Sequence, residues 1–284
     1  MGVHSGKFAI VNGKSTMRGW TITHRSTNQP SVASNTRGGT FRLPGIRDWT
    51  GQVRLYGGMP AAMPNDVFTF TGFTAPDNDI GANPMTGEIY SGSCMVEQVV
   101  IRWNWASADP VNHEISFGAN GALTLSDASQ ATDATAPQMA VLCGLHPTFI
   151  DVTGGSAAAQ IPNVTDITLT IKAAVKPFVN STTNNDTFRK AGPIDFTLAV
   201  RVQDNLRVMA IDDVCEFILP IDGSRQFDIK WARVEEFSGL EVNRETGDII
   251  AQTINASMAG YDFQNSALGS ITLPDSTVWW PIAG

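Results

Sequence analysis

Thr40-Phe41-Arg42-Leu43-Pro44-Gly45-Ile46-Arg47-Asp48-Trp49-Thr50-Gly51-Gln52-Val53-Arg54-Leu55 returns without a gap as Thr187-Phe188-Arg189-Lys190-Ala191-Gly192-Pro193-Ile194-Asp195-Phe196-Thr197-Leu198-Ala199-Val200-Arg201-Val202, an offset of 147 residues. The shared pattern is T-F-R-x-x-G-x-x-D-[WF]-T-x-x-V-R-[LV]. The same offset pairs Thr21 with Thr168, Thr23 with Thr170, Pro30 with Pro177, Val32 with Val179, Asp66 with Asp213, Val67 with Val214 and Phe70 with Phe217. Register held over so long a stretch is the signature of an internal repeat. Beyond Phe70 the offset drops to 138 at Val96-Glu97 and Val234-Glu235, and is 139 at Gly121 and Gly260. A surface loop absorbs such a length difference cheaply, and Thr74 to Gly87 is the natural place for it. The chain therefore reads as two copies of one fold, residues 1–153 and 161–284. They are joined by 154–160, whose Gly154-Gly155-Ser156-Ala157-Ala158-Ala159 has linker composition.

Both copies read as β. Trp49, Val53 and Leu55 alternate with Asp48, Thr50, Gln52 and Arg54. Phe196, Leu198, Val200 and Val202 alternate with Asp195, Thr197, Arg201 and Gln203. Period two marks a half-buried strand. Trp20 to Thr23, Ile167 to Ile171, Val99 to Trp105 and Glu114 to Phe117 follow the same rule, with Gly and Pro punctuation between them. The best helical stretch is Asp133 to Cys143, with a Pro in its first turn. The expected fold is all-β: two tandem homologous β-sandwich or barrel domains, each with room for one short helix.

Composition narrows the function. Only 16% of the 284 residues are charged, against 42% hydrophobic, and 19 basic against 27 acidic side chains leave a net charge of -8. Disorder is excluded by the apolar content. A nucleic-acid grip is excluded by the sign of the charge, because phosphate affinity comes from Lys and Arg. Scarce charge is also what a surface buried in subunit contacts shows. Met1 to Lys7 carries no apolar signal core, so the chain reads as made in the cytosol, and Cys94, Cys143 and Cys215 read as buried thiols.

No motif carries catalysis. Gly13-Lys14-Ser15-Thr16 resembles the end of a phosphate loop, but Phe8 stands where its first glycine belongs, and a polar turn is the better reading. Asp77-Asn78-Asp79 with Glu88 has part of a calcium-loop spacing, yet Gly81 and Ala82 break it. His4, His24, His113 and His146 have no partner at metal-site spacing. Trp49, Trp103 and Trp105 lie on the apolar parity and read as core. Trp279-Trp280 point to opposite faces, so one of them meets solvent or a neighbour. The constellation that does recur is charged: Arg42, Asp48 and Arg54, then Arg189, Asp195 and Arg201, at spacings of six. Its plain reading is a solvated face with weak ion pairs. Its duplication favours a loop held to its own strand or a contact with a neighbouring domain.

Gly45-Ile46-Arg47-Asp48-Trp49-Thr50-Gly51-Gln52-Val53-Arg54-Leu55-Tyr56-Gly57-Gly58, followed by Met63-Pro64-Asn65-Asp66-Val67-Phe68-Thr69-Phe70-Thr71-Gly72, resembles the aspartate-tryptophan strand and proline-x-aspartate turn of tail tube proteins from long-tailed bacteriophages. Tyr90 to Glu97 and the Gly118-Ala119-Asn120-Gly121 turn fit its continuation. In the second half, which joins the resemblance only through the repeat, Phe196 replaces the tryptophan. The resemblance implies β domains joined into rings that stack into a DNA-conducting tube. Two fused domains then make a pseudo-six-fold ring from three chains. It further implies a virion location, and as partners the chain itself and the tape-measure, terminator and distal tail proteins, with no cofactor, catalytic residue or metal. Asp66 and Asp213, with Arg42, Asp48, Trp49, Arg54, Arg189, Asp195, Phe196 and Arg201, are the structural and interface candidates. Glu97, Asp109, Glu114, Glu235, Glu241 and Asp248 are the candidates for an acidic lumen over which DNA slides.

Three other readings compete. One is another tail component, a distal tail or baseplate hub protein. The second is a carbohydrate-binding β-sandwich module using Trp279 or Trp280, and the third a calcium-dependent hydrolase around Asp77, Asp79 and Glu88. The repeat separates them, since a tube needs equivalent domains and an enzyme one clustered acid-base set.

Overall fold

A computed structural model describes residues 2–6, 8–12, 14–15, 19–31, 40–57, 60–74, 88–107, 109–127, 146–152, 158–203, 209–241, 251–259, 261–262, 267–268 and 270–280. The first half holds β1 (Gly2–Gly6), β2 (Phe8–Val11), β3 (Lys14–Ser15), β4 (Gly19–Ser31), β5 (Phe41–Tyr56), β6 (Val67–Phe73), β7 (Glu88–Asn104) and β8 (Asp109–Asp127). Next come β9 (Thr148–Asp151), β10 (Ala159–Gln160), β11 (Val164–Ala173), β12 (Lys176–Phe178), β13 (Phe188–Lys190) and β14 (Ile194–Gln203). The chain ends with β15 (Val214–Pro220), β16 (Gln226–Glu241), β17 (Ala251–Met258), β18 (Tyr261–Asp262), β19 (Ala267–Leu268), β20 (Ser270–Thr272) and β21 (Val278–Trp280). The protein is all-β, with no helix among the described residues. The helical candidate Asp133 to Cys143 lies outside them.

The alternation read from the sequence is the alternation of burial. Along β14, Phe196, Leu198, Val200 and Val202 are buried while Asp195, Thr197 and Arg201 face out. Trp49, Val53 and Leu55 of β5 do the same. Lys14–Ser15 folds back antiparallel on Ile10 and Val11, a hairpin and not a phosphate cradle.

One connectivity occurs twice. Antiparallel ladders run β4-β5-β8-β7-β6-β2-β3 in the first half and β11-β14-β17-β16-β15-β9-β10 in the second. Bulges fall at matching places, between Val96 and Gln98 and between Val234 and Glu236. The turns entering β6 and β15 match atom by atom. Asn65 and Asp212 have positive φ, 76° and 72°, which Asn and Asp tolerate best. Their N–H groups donate to the carbonyls of Val96 and Val234, both at 2.9 Å. Asp66 Oδ2 accepts from the Met63 N–H at 2.8 Å, and Asp213 Oδ2 from the Ala210 N–H at 2.6 Å. The halves differ where β8 runs unbroken along β7. Its counterpart is split into β17 and β20, which pair with successive stretches of β16.

The apolar core is continuous across the halves. Trp103, at the end of β7, is fully buried, packs edge-on against Phe227 with ring centroids 5.8 Å apart, and donates from Nε1 to the Pro220 carbonyl at 2.9 Å. A first-half side chain thus closes the second-half core.

Candidate assembly interface

The halves meet as one sheet. The C-terminal part of β7 pairs antiparallel with β11 from Gln98↔Lys172 to Asn104↔Asp166, on the side of β7 that β6 covers further back. Val99, Val100, Ile101 and Trp103 face Ile171, Thr170, Leu169 and Ile167, a β-branched and aromatic set suited to cross-strand packing.

A second contact comes from the β-arm β12–β13. Its pairs are Lys176↔Lys190, Pro177↔Arg189 and Phe178↔Phe188. The arm lays Arg189 into the first half with a side-chain exposure of only 5%. Arg189 Nε donates to Glu97 of β7 at 2.6 Å, and Nη1 donates to Asp48 of β5 at 3.1 Å and to the Ala119 carbonyl of β8 at 2.8 Å. Arg25 of β4 donates to the other oxygen of Asp48 at 2.8 Å. One guanidinium thus gathers three strands, the fork geometry that favours arginine over lysine. Gly118 is required beneath it, because a Cβ there would lie 2.1 Å from the guanidinium. Nearby, Arg47 meets Asp186 at 2.8 Å, and the Asn65 side chain exchanges hydrogen bonds with the Gly192 backbone.

The same parts occur at the outer ends of the chain without that cover. The distal part of β4 and β5 forms an arm with pairs Gln29↔Leu43, Pro30↔Arg42 and Ser31↔Phe41, residue for residue the register of β12–β13. There Arg42 is exposed. On the second half, Asp195 corresponds to Asp48, and its side chain is 52% exposed with Lys172 3.6 Å away. Glu235 corresponds to Glu97; it is exposed and accepts from Ser257, which pairs with Thr197 as Gly118 pairs with Thr50. Ile211 is 56% exposed where Pro64, its counterpart under the arm, is buried. No described strand pairs with the outer side of β16 beyond Arg233. The corresponding edge of β4 carries only β1, from Gly2↔His24 to Gly6↔Trp20.

The remaining sequence candidates are placed as follows. Trp49 and Phe196 are core, and Trp49 Nε1 donates to the Gly121 carbonyl at 3.0 Å. Arg54 does not reach Asp48; it pairs with Glu114 at 2.9 Å, with Arg102 3.9 Å from the same carboxylate. Arg201 is exposed. Asp66 and Asp213 hold the two matching turns. Asp109 and Glu114 line a polar groove of about 530 Å³ beside the seam, together with Arg54, Arg102 and Asp166. Glu241 lies on β16, whereas Asp248, Asp77 and Asp79 lie outside the described residues. Cys94 and Cys215 are buried thiols, and burial pushes Cys215 up to about 12. Among the described residues, no group of three or more His, Cys, Asp or Glu side chains is placed to hold a metal, and no helix is long and apolar enough to cross a membrane. Sequence reasoning missed Arg25, Arg47, Asp186 and Asn65; of these only Arg47, beside Asp48, and Asp186, three residues before Arg189, lie close enough to the repeated positions to have drawn attention.

No protein-family model matches the chain, and no curated protein matches it.

Proposed function

We propose that this chain is a structural virion protein that builds the tail tube of a long-tailed bacteriophage, two copies of one β domain per chain and three chains per pseudo-six-fold ring. The observation that carries the reading is the β7–β11 seam with its Arg189 seat. One half grips the other through a strand edge and an arm, and the complementary edge and arm recur at opposite ends of the chain. A head-to-tail contact of that kind closes into rings or runs on into filaments. It also answers the hazard of open β edges, which invite aggregation unless paired. The motif resemblance selects the tube among such assemblies, and the net charge of -8 suits a wall that DNA passes without adhering. Arg189 and Arg54 neutralise Glu97 and Glu114, so Asp109 carries more of that repulsion than either. The tape-measure, terminator and distal tail proteins are the expected partners. Negative-stain electron microscopy of the concentrated full chain tests the proposal: stacked rings or tubes support it, and dispersed monomers overturn it.

A further inference from the structure

We propose that a second copy of this chain docks on β4, with the outer side of β16 from Glu236 to Glu241 in one copy pairing antiparallel with Thr21 to Arg25 of the next, and that β1 holds this edge until the copy displaces it. The proposal rests on the tube reading only for closure of the ring; the contact itself is argued from the seam inside the chain.

The interior seam supplies the register. Because the bulges of β7 and β16 coincide, Gln98, Val99 and Val100 correspond to Glu236, Phe237 and Ser238. Their partners Lys172, Ile171 and Thr170 correspond to Arg25, His24 and Thr23. In the contact between copies, Glu236 therefore faces Arg25, Phe237 faces His24 and Ser238 faces Thr23. A further bulge at Gly239, with φ of 68°, then brings Glu241 opposite Thr21. Glu236 and Arg25 are both exposed in the lone chain, and the docked register sets their opposite charges side by side.

The arm supplies the second point. Arg189 enters between Asp48 and Glu97 inside the chain, so Arg42 enters between Asp195 and Glu235 of the neighbour, while Asp212 is placed to accept from the Gly45 N–H as Asn65 Oδ1 accepts from that of Gly192. The seat that the arm would cover on the second half is exposed at Asp195, Glu235, Ile211 and Asp212.

β1 is built to leave. It pairs with Trp20 to His24, the positions equivalent to those on which β7 sits in β11, and it runs in the same antiparallel sense. Two of its five residues are glycine, where β7 offers Val99, Val100 and Ile101. Glycine weakens a strand, so β1 protects the edge from indiscriminate pairing yet yields to a better partner.

The test uses the full chain. The double variant Thr23→Cys with Ser238→Cys, oxidised during assembly, should give a covalent ladder of chain multiples on a non-reducing gel, and each single variant should not. Deletion of residues 2–6 should lower the concentration needed for assembly by about tenfold, the loss of a few weak strand pairs. Arg42→Glu should abolish the ladder, and Asp195→Arg with Glu235→Arg should restore it. Wild-type tubes with no ladder from the double variant, or an unchanged assembly concentration after the deletion, overturn the proposal while the tube reading stands. A ladder with only open, short oligomers leaves the contact standing and overturns the tube.

Discussion

The arms β12–β13 and the distal β4–β5 share one register, one Pro opposite Arg and one phenylalanine next to that Pro's partner, yet they live differently. Arg189 is sealed among two carboxylates and a carbonyl, whereas Arg42 is in solvent. One residue pattern is thus buried in one arm and exposed in the other, because β12–β13 has the first half to lie on. The interior contact carries Trp103, a core side chain that the β16 edge lacks.

The largest effects should come from breaking the occupied seat. Arg189→Ala leaves the buried Asp48 with Arg25 alone and beside the partly exposed Glu97, and should cost about 3 kcal/mol. Trp103→Ala should cost a similar ~3–5 kcal/mol by opening a cavity where the halves join. Both are read as losses in chemical-denaturation midpoint. Arg42→Ala, by contrast, should leave the lone chain within about 0.5 kcal/mol of wild type and abolish assembly in light scattering.

The floor of each seat gives a finer comparison. Gly118→Ala drives a methyl group into the Arg189 guanidinium and should destabilise by about 1–3 kcal/mol. Ser257, at the matching position, already carries that carbon, so in the proposed contact Arg42 would seat less deeply than Arg189 does in its own chain. Ser257→Gly should therefore cost the lone chain only about 0.5–1 kcal/mol and lower the assembly concentration.

The smallest effects separate the halves by pH. Glu216 of β15 is raised above the usual glutamate range by burial first, then by Asp228, with Lys230 at 3.7 Å opposing. Thr69, Tyr90 and Gly92 stand at the corresponding first-half places, so only the second half carries this carboxyl cluster. A raised acid favours the protonated fold. The stability it contributes is present at low pH and is lost as pH rises above the usual glutamate range, so Glu216→Gln should flatten melting curves on the alkaline side of that range. Asp222 behaves oppositely. The Arg225 guanidinium first, then the Ser224 N–H, holds it down at about 2, and its stabilisation is present above the usual aspartate range and lost as pH falls towards that value. Asp222→Ala should remove that acid-range slope.

Much of the fold was legible because β5 and β14 carry period-two alternation in residues rigidly spaced along the chain. The matching turns at Asp66 and Asp213 were legible because Asn and Asp there satisfy a local backbone need. The seam was not legible. Pairing between β7 and β11 is set by which edges remain after each half has folded, and nothing local to Gln98 or Lys172 encodes it. The partners of the charged repeat were hidden for the same reason. A spacing of six placed Arg42, Asp48 and Arg54 on one face, but the arm delivers Arg189 from the other half to Asp48, and Arg54 turns to Glu114 across the strand. Net charge made Glu97 and Glu114 into lumen candidates, and only coordinates reveal the arginines beside them.

The most direct measurement is a cryo-electron microscopy reconstruction of assembled full chain. The account predicts rings of three chains in which six equivalent strand sets share continuous sheet contacts, with Arg42 of each chain lying between Asp195 and Glu235 of the next. Rings joined through other edges, with β1 still on β4 and Arg42 in solvent, would contradict it.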